Sequence, residues 1–171
     1  MNRIELYQGD ITEMHVDAIV NAANRSLLGG GGVDGAIHRV AGPKLLEECK
    51  KLNGCETGQA KITMGYRLPS RYVIHTVGPV WHGGEIGEKE LLASAYLSSL
   101  KLAREHQLKT LAFPNISTGV YAFPKQLAAE IAIETVRNFL ENDDWFEEIT
   151  FCVYDDENYE IYTKLLNQTG H

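Results

Sequence analysis

The sequence predicts an α/β fold, a largely parallel sheet with helices on both faces. Three observations carry this. Residues 17–21 (DAIVN), 110–113 (TLAF) and 148–154 (EITFCVY) are short apolar runs with the length of buried strands. Between the last two lies a helical stripe of Leu127, Ala128, Ile131, Ala132, Thr135, Val136, Phe139 and Leu140. Strand and helix patterns alternate along the chain, the order that builds a parallel sheet. The 171 residues suit one domain spanning 1–171.

The elements follow in order. Residues 3–7 (RIELY) alternate and read as a first strand, ended by a turn at Gly9-Asp10-Ile11-Thr12. After the strand at 17–21 comes a long loop with four consecutive glycines, Gly29 to Gly32. From Asp34 a helical pattern sets in. Its residues Ile37, Val40 and Ala41 share one side of that helix; Gly42-Pro43 interrupts it, and a second short helix covers about 44–52. Residues 60–64 and 72–77 read as strands joined by a turn around Leu68-Pro69-Ser70. A loop from Gly78 to Gly87 leads to an amphipathic helix at 88–106, whose stripe is Leu92, Ala95, Tyr96, Leu100 and Ala103. After the strand at 110–113, a second long loop runs from Pro114 to Phe123. Pro124 suits the first turn of the helix that follows. A last helix is expected over 156–167.

Composition narrows the function classes. The net charge of −7 argues against nonspecific nucleic-acid binding, which needs a basic surface. An anionic small ligand stays open, because backbone N–H groups hold phosphate without Lys or Arg. No apolar run reaches the length of a membrane span, and the first residues lack the apolar core of a signal peptide. Cys49, Cys55 and Cys152 are an odd number without C-x-x-C spacing, which fits a reducing cytoplasm and argues against disulfides or a zinc site.

The chemistry-bearing residues sit in the loops. Four glycines in a row suit a backbone that must come close to a ligand, and a helix N-terminus just beyond offers unpaired N–H groups to an anion. Asp34 does not fit against phosphate. It reads either as the N-cap of a helix starting near Gly35 or as a carboxylate that holds a sugar hydroxyl or orients a water. The match to G-x-G-x-x-G at Gly30, Gly32 and Gly35 lies too far past the strand for a dinucleotide fingerprint, and no Gly-Lys-Ser/Thr makes it a P-loop. In the second loop, Ser117, Thr118 and Gly119 offer further donors, and Tyr121 and Phe123 could cover a sugar or base, Phe123 being better suited to the core. Ser117 lacks the G-x-S-x-G context of a hydrolase nucleophile. Asp10 and Asn24 read equally as turn residues and as ligand contacts. His38 and His75 have no partner at metal-ligand spacing and are taken as structural, Cys152 as core. Asp155-Asp156-Glu157 begins the last helix. In open α/β sheets ligands bind beyond the carboxyl ends of the strands. Ala22-Ala23-Asn24 with the glycine loop, the 114–123 loop and Tyr154-Asp155 all fall there.

Five stretches in order resemble a macrodomain: Gly9 to Thr12, Val16 to Asn24, Gly30 to Ile37, His75 to Pro79 and Ile116 to Tyr121. Within that family the chain is most similar to bacterial O-acetyl-ADP-ribose deacetylases of the MacroD type, over about residues 3–167. The resemblance implies a three-layer α/β/α sandwich with a mixed, largely parallel sheet and a cleft for ADP-ribose. By position, Asp10 would bind the adenine amine and Ile11 would line the adenine pocket. The backbone of Gly32, Val33, Ser117, Thr118, Gly119 and Val120 would cradle the diphosphate. Asn24 and Asp34 would address the distal ribose, with Tyr121 packed on it, and Tyr154 and Asn158 would close the adenine side. Ala122 departs from the family, where Gly is usual.

The implied activity is hydrolysis of O-acetyl-ADP-ribose and of ADP-ribose esters on acidic side chains, with Asp34 and Asn24 catalytic and no metal or cofactor. The partners are then ADP-ribose, its O-acyl esters and ADP-ribosylated proteins, without membrane or nucleic acid. A reader module that binds ADP-ribose without cleaving it would need the same cradle.

Overall fold

The computed structural model describes residues 3–169. Six strands form one sheet: β1 (Ile4–Gln8), β2 (Ala18–Ala22), β3 (Ala60–Met64), β4 (Tyr72–Thr76), β5 (Thr110–Phe113) and β6 (Glu148–Val153). Their spatial order is β1-β6-β5-β2-β4-β3. Every neighbouring pair is parallel except the hairpin-linked β3 and β4. Five helices complete the fold: α1 (Gly32–Ala41), α2 (Pro43–Lys51), α3 (Glu88–Glu105), α4 (Lys125–Glu141) and α5 (Asp156–Thr169).

The pleat sorts side chains between two cores, because successive residues of a strand point to opposite faces. Ala18 and Val20 of β2, Ile74 of β4, Leu111 and Phe113 of β5, and Ile149 and Phe151 of β6 pack with Leu92 and Tyr96 of α3, Ala132 of α4 and Tyr162 of α5. Ile19, Val73, Ala112 and Cys152 face the other way, onto Ile37 and Ala41 of α1 and Leu45 and Cys49 of α2. The result is a helix–sheet–helix sandwich. No helix among the described residues is long and apolar enough to cross a membrane.

Two local expectations need correction. Helix α1 begins at Gly32, with Gly31 as its N-cap, so Asp34 sits inside the first turn and is not the cap. The glycines permit this early start: Gly32 has φ +57°, a left-handed value that costs glycine nothing. Val40 is 42% exposed and does not join Ile37 and Ala41 on the buried side of α1. It stands about 100° round the helix from Ala41, at the edge of the stripe.

Ala122 takes φ +61° and Ser117 φ +70°, so the loop between β5 and α4 carries two non-glycine residues in the left-handed region. The loop folds back on itself, with Ala122 N–H bonding Gly119 O and Phe123 N–H bonding Ser117 O. Phe123 drops into the core against Trp81.

Candidate active site

A cleft of about 780 Å³ opens at the carboxyl ends of β2, β5 and β6. Parallel strands deliver their following loops to the same edge, so residues distant in sequence meet there. Two of these loops form facing walls. One is the glycine loop with the first turn of α1, including Gly30, Gly32, Val33 and Asp34. The other is the β5–α4 loop, where Ser117, Thr118, Gly119, Val120 and Tyr121 all line the cleft.

Both walls present unpaired backbone donors. A first helical turn has no carbonyl four residues earlier to accept its N–H groups, and α1 has no side-chain cap. Among the described residues, the N–H groups of Ser117 to Tyr121 likewise make no backbone bond. Such convergent N–H groups suit an anion, and the α1 dipole adds to them. The Ser117 hydroxyl is buried without a partner on the same wall. Arg39, one turn beyond Gly35, adds a cation to the lining.

At the floor beside the glycine loop sits Asp34, 4% exposed. Its Oδ1 accepts a hydrogen bond from Asn21 Nδ2 at 2.8 Å and lies 3.4 Å from His38 Nε2, one turn along α1. Its Oδ2 is turned toward Gly30: a β-carbon there would stand 3.2 Å from Oδ2 and 3.4 Å from Asn24 Nδ2. The carboxylate is thus anchored by one oxygen, and the other is turned to Gly30 at the cleft wall. Burial raises the Asp34 pKa, against the opposing pull of the Asn21 hydrogen bond and the nearby His38. Asn24 is itself pinned, accepting from Ser26 N–H and Oγ–H and donating to Gly29 O.

The far end of the cleft is built by the turn after β1 and the start of α5. Asp10 accepts from Thr12 N–H and Oγ–H through one oxygen, Oδ1, and caps the 3-10 turn at Ile11–Glu13. Ile11 is buried beneath it, and Tyr154 stands 82% exposed at the rim. Asp155 accepts from Asn158 N–H and so starts α5. Asn115 donates to Asn158 Oδ1 at 2.6 Å, tying this end to the β5–α4 loop.

The residues that the resemblance assigns to the ligand all line this one cleft, from Asp10 and Ile11 at one end to Asn24 and Asp34 at the other, whereas Phe123 does not. Sequence reasoning missed Asn21, and it set His38 aside as structural although it faces Asp34. The signals were present: Asn21 is a polar residue in an apolar strand, and His38 follows Asp34 by four positions, one helical turn. Among the described residues no cluster of His, Cys, Asp and Glu is arranged to hold a metal ion.

The chain belongs to the macrodomain family: the Macro domain model matches residues 20–132. It is 57% identical to an O-acetyl-ADP-ribose deacetylase of Escherichia fergusonii, covering 99% of this chain and 98% of that protein. An ADP-ribose glycohydrolase MACROD2 of Xenopus laevis is 56% identical over 97% of this chain, which spans 40% of that longer protein. Among solved structures, a Trypanosoma brucei macrodomain in complex with ADP-ribose superposes with a TM-score of 0.92 at 47% identity, covering 96% of this chain and 69% of that one.

Proposed function

We propose that this protein is a hydrolase that deacetylates O-acetyl-ADP-ribose and releases ADP-ribose from esters on acidic side chains. The names of its relatives support the substrate class, and they cover nearly the whole chain. The observation that carries the reading is the placement of Asp34: a buried carboxylate held through one oxygen, with the other turned to Gly30 in the glycine loop. A module that only bound ADP-ribose would need the donor-rich walls and could use this carboxylate only to accept from a ribose hydroxyl, whereas hydrolysis also needs a group to orient the water.

The diphosphate lies between the first turn of α1 and the β5–α4 loop, with Asp10 and Ile11 at the adenine and Tyr121 over the distal ribose. Asn24 holds a ribose hydroxyl. Asp34 orients a water and accepts its proton as the water oxygen bonds to the acyl carbon. The ester bond to the ribose oxygen then breaks, and the proton passes to that oxygen, leaving a carboxylic acid and ADP-ribose. An unperturbed Asp is a poor base near neutrality. Burial of Asp34 moves its pKa in the useful direction. Three free, buried cysteines fit a reducing compartment, and we place the protein in the cytoplasm as a single catalytic domain.

Two assays on the wild type test this. Incubation with O-acetyl-ADP-ribose should release acetate, and ADP-ribose should bind by calorimetry. Tight binding without acetate release would make the protein a reader. No binding would remove the cleft assignment.

A further inference from the structure

Beneath Asp34, on the face of the sheet covered by α1 and α2, lies a row of buried polar side chains where the pleat calls for apolar ones. Asn21 and His75 are direct register partners on β2 and β4. Thr63 belongs to the next strand, β3. Asn21 and His75 are 0% exposed and Thr63 is 2%. Asn21 Nδ2 lies 2.8 Å from Asp34 Oδ1 and 3.1 Å from His75 Nδ1, and His75 Nε2 lies 2.9 Å from Thr63 Oγ1. Thr63 Oγ1 donates in turn to Met64 O at 3.1 Å. The row crosses three adjacent strands and ends on the carboxylate.

Its polarity follows from donor counting. The Asn21 atom facing an ionised Asp34 must be the NH2 group, since an amide oxygen there would be repelled. One N–H goes to Asp34, and the other points at His75 Nδ1, which must then be an acceptor. The ring proton is left on Nε2, and Thr63 Oγ1 receives it. We propose that His75 is a positioning residue for Asp34: the lone pair of Nδ1 holds the Asn21 amide with an N–H turned to Oδ1, leaving Oδ2 for the cleft. This rests on the hydrolase reading, in which Oδ2 handles the water.

Reversing the row is the alternative chemistry. A proton on His75 Nδ1 would demand the amide oxygen of Asn21 in place of its NH2, and that oxygen would tolerate only a protonated Asp34. The His75 tautomer therefore reports which form of Asp34 the fold holds. A doubly protonated His75 has no lone pair on Nδ1 for the Asn21 amide, and burial keeps the ring neutral, lowering its pKa to about 3 with a further contribution from His38. The Cys49 thiol, 3.8 Å from Nε2, is also kept protonated by burial and by the Asp34 and Glu48 charges, its pKa pushed up to about 11.

The test combines a spectrum and two variants. Two-bond proton–nitrogen correlation NMR on the wild-type protein at neutral pH should show His75 neutral with its proton on Nε2. A proton on Nδ1 would overturn the proposal without any variant having to fold. His75→Leu fills similar space without an acceptor, and its kcat for O-acetyl-ADP-ribose should fall about 10- to 100-fold, the range for groups that orient a reacting side chain. ADP-ribose affinity should stay within about twofold, since the cradle is elsewhere. His75→Asn, whose amide oxygen takes the place of Nδ1, should recover most of kcat. Full turnover in His75→Leu, or equal loss in both variants, would overturn the role of His75 alone. Absence of wild-type turnover would overturn the hydrolase reading as well.

Discussion

Gly30 is the residue on which the reacting end of the cleft turns. It has no special backbone angle to protect, yet a β-carbon there would crowd both Asp34 Oδ2 and Asn24 Nδ2. Gly35 faces it from α1, and a β-carbon on Gly35 would meet Gly30 O at 2.6 Å. The two glycines let the loop lie against the helix, with Asp34 Oδ2 and Asn24 Nδ2 both close to Gly30. Gly30→Ala should therefore displace this pair by a few tenths of an ångström. We expect about a tenfold loss of kcat with thermal stability nearly unchanged, as misplacement of a reacting group costs rate before it costs stability. Steady-state kinetics beside a melting curve checks this. Asp34 itself was visible in the sequence as a misplaced carboxylate, but its direction was not. The N-cap alternative fell only because the glycines let α1 start two residues before it.

At the scale of elements, the periodic patterns located every strand and helix, and the misses have particular causes. Val40 is apolar and exposed, which helical spacing alone does not reveal. The loops carried the rest of the uncertainty, because their shape depends on backbone angles that composition does not dictate. Ala122 is one such case: at φ +61° an L-residue is strained. Ala122→Gly should relieve that strain and raise stability by about 0.5–1 kcal/mol, the left-handed penalty less the extra chain entropy of glycine. Thermal denaturation measures it, and a lower melting temperature would contradict it. The 78–87 loop shows the converse, a loop organised by one side chain. Glu88, at the start of α3, is buried and accepts hydrogen bonds from the N–H groups of His82, Gly84 and Ile86. Burial opposes its charge, but these backbone donors outweigh it and lower its pKa from 4.5 to about 2. A carboxylate with a lowered folded pKa binds fewer protons folded than unfolded. Its stabilisation is therefore whole above about pH 4.5 and is lost as pH falls toward 2. Glu88→Gln should flatten the fall in stability across that window, as read by denaturant titrations at several pH values.

For the whole molecule, a parallel sheet gathers loops from distant parts of the chain at one edge, which made the cleft legible before any contact was known. Its floor was not legible. Asn21 and His75 sit in runs that read as buried strands, and only the register of β2 against β4 shows that they stand side by side under α1. Cross-strand neighbours are set by sheet order, which one sequence without its fold does not display. The molecule is acidic overall, with a net charge of −7, yet its cleft is walled by backbone N–H groups and Arg39. An anionic ligand is thus met by local dipoles in spite of the global charge. On the proposed function, binding and chemistry rest on different parts of the fold, the loop backbones for the one and Asp34 for the other. Saturating turnover of O-acetyl-ADP-ribose by Asp34→Ala, with its ADP-ribose affinity measured on the same preparation, separates them most directly. The account predicts a fall in kcat of about 100-fold or more, the scale of a lost acid–base group, at nearly wild-type affinity. Wild-type kcat in Asp34→Ala would contradict it.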